Sequence, residues 1–141
     1  ELRIPVRFKP GGALIKIKAF FASPVLNPTA VCEKVFPVDR EVPLTKAIGR
    51  AAIRELLKGP SPDEREAEYS TAINDGVILQ SLTIQDGVAR VDFSKELDRA
   101  VGGSCRVTAI RAQITETLKQ FATVKSVIIS IDGRTEDILQ P

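Results

Sequence analysis

Apolar and polar residues alternate at a period of two from Ala13 to Phe21, and the run then turns wholly apolar at its end. That pattern predicts a strand with one buried face, more enclosed toward its close, which Pro24 and Pro28 terminate. Val35, Phe36 and Val38 predict a second short strand over 32–38, which Pro37 restricts to an edge or a bulge. The period then becomes helical. Ala47, Ile48, Ala51, Ala52, Leu56 and Leu57 recur on one face, Lys46, Arg50, Arg54 and Lys58 fall elsewhere, and Thr45 is placed to cap the start. Gly59 followed by Pro60 stops the helix, because glycine accepts the left-handed position and proline cannot continue. Ser61 to Glu64 has capping-box spacing with Pro62 at the first helical position, which predicts a brief further turn.

After Asn74-Asp75-Gly76, the runs VILQSLTI and VARVDF are separated by Gln85-Asp86-Gly87, a hairpin signal in which Gly87 supplies positive φ. Gly102-Gly103-Ser104 leads into a second long helix, with Val107, Ile110, Ile114, Leu118 and Phe121 every three or four residues. VKSVIISID reads as a buried strand stopped by Asp132-Gly133, and a polar tail follows with an apolar hook at Ile138 and Leu139. The order is β-β-α-β-β-α-β. It predicts an α+β two-layer sandwich, a mixed β-sheet with its two main helices on one face. The opening stretch 1–12 mixes Arg and Lys with Pro5, Pro10 and a Gly pair and reads as an extended arm or leader, leaving 13–141 as the domain.

Composition narrows the function classes. With 141 residues and 43% hydrophobic content there is material for one core and not for two. Charged residues make up 27% with both signs interleaved, so the net charge of +2 gives no electrostatic footprint for nucleic acid. No apolar run approaches the ~20 residues that span a bilayer. The chain opens at Glu1 and not at Met, so it reads as a mature or trimmed fragment from which an anchor would already be missing. The absence of His removes imidazole triads and most zinc sites, and no cofactor or metal is expected. Two cysteines, Cys32 and Cys105, allow one bridge without demanding it.

Few residues invite chemistry. Gly102-Gly103-Ser104 ahead of a helix could cradle an anion, but it lacks the lysine and spacing of a P-loop, and an ordinary helix start is the better reading. Asp86, Asp92, Glu96 and Asp98 gather around the second hairpin. Asp86 suits a turn, and Asp92 with Ser94 suits the cap of a short helix from Lys95 to Ala100, which leaves no visible acid and base pair. Arg40, Arg50, Arg54 and Lys58 punctuate the first helix and its approach. A solvated face is the plain reading of such charges, and the functional one is the rim of an interface for protein, anionic wall polymer or lipid.

Three segments carry a family resemblance: REVPLTKAIGRAAIRELLKGPSPDE, INDGVILQSLTIQDGVARVDFS and QITETLKQFATVKSVIISIDGR. Together, from about residue 40 to 134, they resemble the GerMN domain of the sporulation and spore germination family. The resemblance implies a non-catalytic domain of the bacterial cell envelope, extracytoplasmic and tethered as a lipoprotein or by a membrane anchor. It implies a role in assemblies between mother cell and forespore, and a fold related to ring-building modules. With that compartment and no His to serve as base, Cys32 and Cys105 are expected as a disulfide, although Cys105 at a helix start could also be a reactive thiolate. The expected function is binding and assembly through a sheet edge or helix face, with a protein partner or self-association, possible cell wall contact, no nucleic acid, and membrane contact only through a missing anchor. The alternative is a peptidoglycan or glycan recognition domain accessory to a cell-wall hydrolase.

Overall fold

A computed structural model describes residues 5–9 and 12–140. Among the described residues six strands and three helices follow in the order β1 (Val6–Lys9), β2 (Gly12–Phe21), β3 (Phe36–Pro43), α1 (Ile48–Leu57), α2 (Pro62–Glu66), β4 (Leu79–Gln85), β5 (Val88–Phe93), α3 (Ser104–Lys119) and β6 (Ser126–Ile131). A 3-10 turn, Lys95–Asp98, lies between β5 and α3. The predicted order of strands and helices is present, with β1 added inside the segment 1–12. Residues 1–4, 10 and 11 of that segment lie outside the described residues.

The strands divide into two sheets of three. In the first, β2 is central and antiparallel to β1 and β3. In the second, β5 is central, antiparallel to β4 and parallel to β6, so this is the mixed sheet. The parallel pair follows from the crossover through α3, since parallel neighbours need a long connection. Both long helices cover one face of the mixed sheet, where Leu82 and Ile84 of β4 and Leu118 of α3 come close to Gly49 of α1. A Cβ on Gly49 would lie 3.1 Å from Leu82 and 3.3 Å from Ile84, so glycine lets α1 settle close to β4. The same two helices pack against β2. One core results, with Ile15, Ile17 and Phe21 of β2, Ile53 and Leu56 of α1, Val91 and Phe93 of β5, and Ile110, Ile114 and Leu118 of α3 all buried.

Local chemistry accounts for most boundaries. The β4–β5 hairpin closes through Asp86 at φ 53° and Gly87 at φ 81°, the two positive values that a two-residue turn of matching twist requires. Ser61 begins α2 with a full capping box: its side chain accepts from the Glu64 N–H, and the Glu64 carboxylate accepts from the Ser61 N–H. Thr45, expected as the α1 cap, stands two residues early. Ala47 occupies the cap position, and the Thr45 hydroxyl accepts its N–H at 3.1 Å.

Two expectations need correction. The second strand was placed over 32–38 and runs instead over Phe36–Pro43. Its inward positions are Phe36, Val38, Arg40 and Val42, opposite Phe21, Ala19, Ile17 and Ile15. An arginine in an inward slot conceals the alternation. Nor does Asp92 cap the turn after β5. Its carboxylate accepts from the Ser130 hydroxyl, the Gly133 N–H at 2.8 Å and Gln80 at 2.7 Å, while the Ser94 hydroxyl accepts from the Ile78 N–H at 2.9 Å.

Candidate functional site

The edges of β2 and β3 show where the molecule is closed to partners. Leu44 donates to the Ala13 carbonyl, so the even-numbered residues of β3 face β2 and the odd ones, Pro37, Asp39, Glu41 and Pro43, turn outward. Proline has no N–H to offer, and with one at each end this edge is poorly suited to accept another strand. On the other side, beyond β1, the edge of β2 is taken up by side chains of α3. Gln120 accepts from the Lys18 N–H at 3.0 Å and donates to its carbonyl at 2.7 Å. Thr117 accepts from the Phe20 N–H, and Gln113 donates to the Phe20 carbonyl at 3.1 Å. Ala22 then pairs with Ser70.

Gln113 is fully buried and also accepts from the Ala72 N–H at 2.8 Å and donates to the Thr71 hydroxyl at 2.9 Å. Its amide thus joins β2, the 70–73 segment and α3, satisfying groups that would be costly to bury unpaired. Sequence reading passed over this stripe. Positions 113, 117 and 120 flank the apolar positions of the same helix at the same spacing, and that polar row beside the apolar one was the available signal.

The four cations expected as an interface separate into two groups. Arg40 turns inward, its side chain only 13% exposed. It donates to both oxygens of Glu64, to the Glu55 carboxylate at 3.2 Å and to the Gly59 carbonyl at 3.1 Å, and it lies 5.6 Å from the centre of the Phe21 ring. Burial works against ionisation at both ends of the Arg40 and Glu64 pair, but hydrogen bonding and charge attraction prevail. The guanidinium is raised above its ordinary value and the carboxylate is lowered. Arg40 therefore ties β3 to α1 and α2 and is not part of an interface rim.

Arg50, Arg54 and Lys58, spaced four apart, follow the outer flank of α1 and border a shallow groove of about 310 Å³ between that helix and the end of β3. Val42, Pro43, Ala47 and Ala51 give it an apolar floor. Glu55 is the acid in its lining, and it is neutralised by Arg40 and by Lys58 at 2.6 Å. Among the described residues Arg50 and Arg54 form no ion pair, so the groove keeps a positive excess.

The remaining candidates are dispersed. Asp86 sits in the hairpin turn. Asp92 lies among its donors on the far face of the mixed sheet, and the Asp98 carboxylate accepts from the Leu139 N–H at 3.3 Å. Burial pushes the Asp92 carboxyl up, but hydrogen bonds from Ser130, Gly133 and Gln80 bring it below its ordinary value. Glu96 is also held low, first by Ser94. These acids do not converge on one cleft. Gly102 and Gly103 precede α3, with Gly103 at φ 90° in the cap position. Cys32 and Cys105 are joined as a disulfide with Cα atoms 5.2 Å apart, linking the loop after β2 to the first turn of α3.

The fold is that of a small α+β domain, with a cationic groove along one flank of α1. The chain belongs to the sporulation and spore germination family, whose model matches residues 19–137. Solved structures of similar fold include the first GerMN domain of the sporulation protein GerM from Bacillus subtilis, with 18% identity, 85% of this chain and 84% of that one covered, and a TM-score of 0.57. A protein from Clostridium perfringens described as a candidate lipoprotein is similar at 17% identity over 96% of this chain and 86% of that one, with a TM-score of 0.58. The tandem GerMN domains of GerM match at 18% identity over 86% of this chain and 40% of theirs, with a TM-score of 0.58. No curated protein matches the chain.

Proposed function

We propose that this domain is a non-catalytic binding and assembly module of the bacterial cell envelope, working outside the cytoplasmic membrane, and that it contacts a protein partner through the groove beside α1. The observation that carries this reading is the row Arg50, Arg54 and Lys58 over an apolar floor, with its acid already neutralised. Such a surface offers apolar burial at its centre and unspent positive charge at its rim, the arrangement that gives interfaces both affinity and orientation. The proline-blunted edge of β3 favours the helix flank over strand addition on that side. Family membership and the likeness to a candidate lipoprotein support the location, as does a disulfide, which persists in oxidising compartments.

The test is charge reversal. The chain and its Arg50→Glu/Arg54→Glu variant are compared by sedimentation velocity across concentration, by pull-down from envelope extract and by retention on purified cell wall. The reading expects a protein contact, with a second copy or another chain, that the variant loses. Protein contacts unchanged by the reversal would overturn it, and retention on wall alone would favour glycan recognition.

A further inference from the structure

The strands and helices alternate in direction, so the end of β1 and the start of β2, the β3–α1 loop, the β4–β5 turn and the α3–β6 loop gather at one end of the molecule. Contacts join them. Phe8 pairs with Ala13, Ala13 is bonded to Leu44, Lys46 shares a shallow depression with Ile84, Phe121 and Thr123, and Lys125 lies against Gly87. Among the described residues seven large apolar side chains are exposed, and four of them, Val6, Phe8, Leu44 and Ile84, stand at this end, with Phe8 at 80% exposure. Val6 and Phe8 of β1 share one face of the first sheet with Leu44, which follows β3.

Charge accompanies the apolar cluster. Lys46, Lys119 and Lys125 are exposed at the same end. The nearby acids are Asp86 in the hairpin turn, Glu116 one turn before Lys119 on α3, and Glu41, which Arg7 engages at 2.7 Å. The opposite end is mixed, since exposed Asp63, Glu66, Glu68, Asp132, Glu136 and Asp137 stand there among exposed Arg65, Lys95, Arg99 and Arg134. Projecting apolar side chains among lysines match the layered chemistry of a bilayer surface, where phosphates lie above the start of the acyl chains. A protein groove would instead call for a packed and shaped patch.

We propose that this end of the domain seats on a bilayer rich in anionic lipid, with Phe8 and Leu44 entering the boundary between headgroups and acyl chains and the three lysines facing headgroup phosphates. This contact goes beyond the groove beside α1 and uses none of that groove's cations, so each can fail without the other.

The chain contains no Trp, so Phe8→Trp gives a single reporter. With phosphatidylglycerol vesicles its emission shifts to the blue and is quenched by brominated acyl chains, and with phosphatidylcholine vesicles neither happens. Lys46→Glu/Lys125→Glu lowers co-sedimentation with the anionic vesicles by about tenfold or more, as does raising salt severalfold above about 0.15 M. Phe8→Ser/Leu44→Ser lowers it by about tenfold through lost apolar insertion, and Arg54→Glu/Lys58→Glu stays within about twofold. Each variant's melting curve shows that the fold is kept. Emission unmoved by anionic vesicles, or equal partition into both lipids, overturns the proposal. So does self-association without vesicles that Lys46→Glu/Lys125→Glu abolishes, because the occupant would then be a second copy.

Discussion

Arg40 and Arg54 both border α1 and carry the same guanidinium, yet one has nearly all its donors engaged and the other has no ion pair among the described residues. The difference lies in their elements. Arg40 projects from an inward position of β3 into a space ringed by the Glu55 and Glu64 carboxylates and the carbonyl of buried Gly59, just after α1. Arg54 stands on the helix flank away from the core. A charge taken out of water must be matched nearby, whereas one left in water is cheap to keep and available to a partner. Within one helical turn, then, the same chemistry serves the fold at one site and is offered to the outside at the other.

The comparison can be broken most severely at Arg40. Arg40→Ala leaves the half-buried Glu64 carboxylate without its counter-ion and Glu55 with Lys58 alone, and is expected to lower unfolding free energy by about 3 kcal/mol in urea titration. Next is Gln113, the neutral member of the inner polar framework. Gln113→Ala strands the Ala72 N–H and the Phe20 carbonyl and should cost about 2 kcal/mol. Loss of less than a few tenths would mean that water replaces the amide without penalty.

Glu64→Gln is smaller and has a direction in pH. The folded carboxyl titrates below its unfolded value, so its contribution is complete above the unfolded glutamate range, about pH 4.3, and is lost as pH falls through the lower folded value. Wild type should therefore exceed the variant by about 1 kcal/mol at neutral pH, with the gap closing as the medium is acidified. A gap that stayed constant into strong acid would show that the pair is not what Glu64 contributes. At the outer row the effect on stability is least. Arg50→Glu/Arg54→Glu should shift unfolding by no more than about 0.5 kcal/mol while removing partner binding. Destabilisation matching that of Arg40→Ala would erase the distinction between the two sites.

Much of the fold was legible in the sequence because it rests on local rules. The hairpin announced itself through Asp86-Gly87, where only small or turn-forming residues take positive φ at both positions, and α2 through a capping box whose partners lie three residues apart. The two long helices showed in their apolar spacing, and the order of strands and helices led to the expectation of a mixed sheet, which the parallel β5 and β6 pair supplies. The candidate site was legible only in part. Arg50, Arg54 and Lys58 fall together because a helix repeats every 3.6 residues, and that much a sequence contains.

What tertiary structure alone decided is where each polar residue finds its partner. The placement of Arg40 among Glu55 and Glu64 depends on β3 lying beside α1, and the covering of the β2 edge by Gln113, Thr117 and Gln120 spans sequence separations near one hundred. The division into two sheets follows from that covering, since an edge already satisfied by side chains has no call for another strand. Spacing rules describe what a segment does alone. Whether a charge is spent inside or kept for a partner is determined by neighbours that only the folded chain supplies.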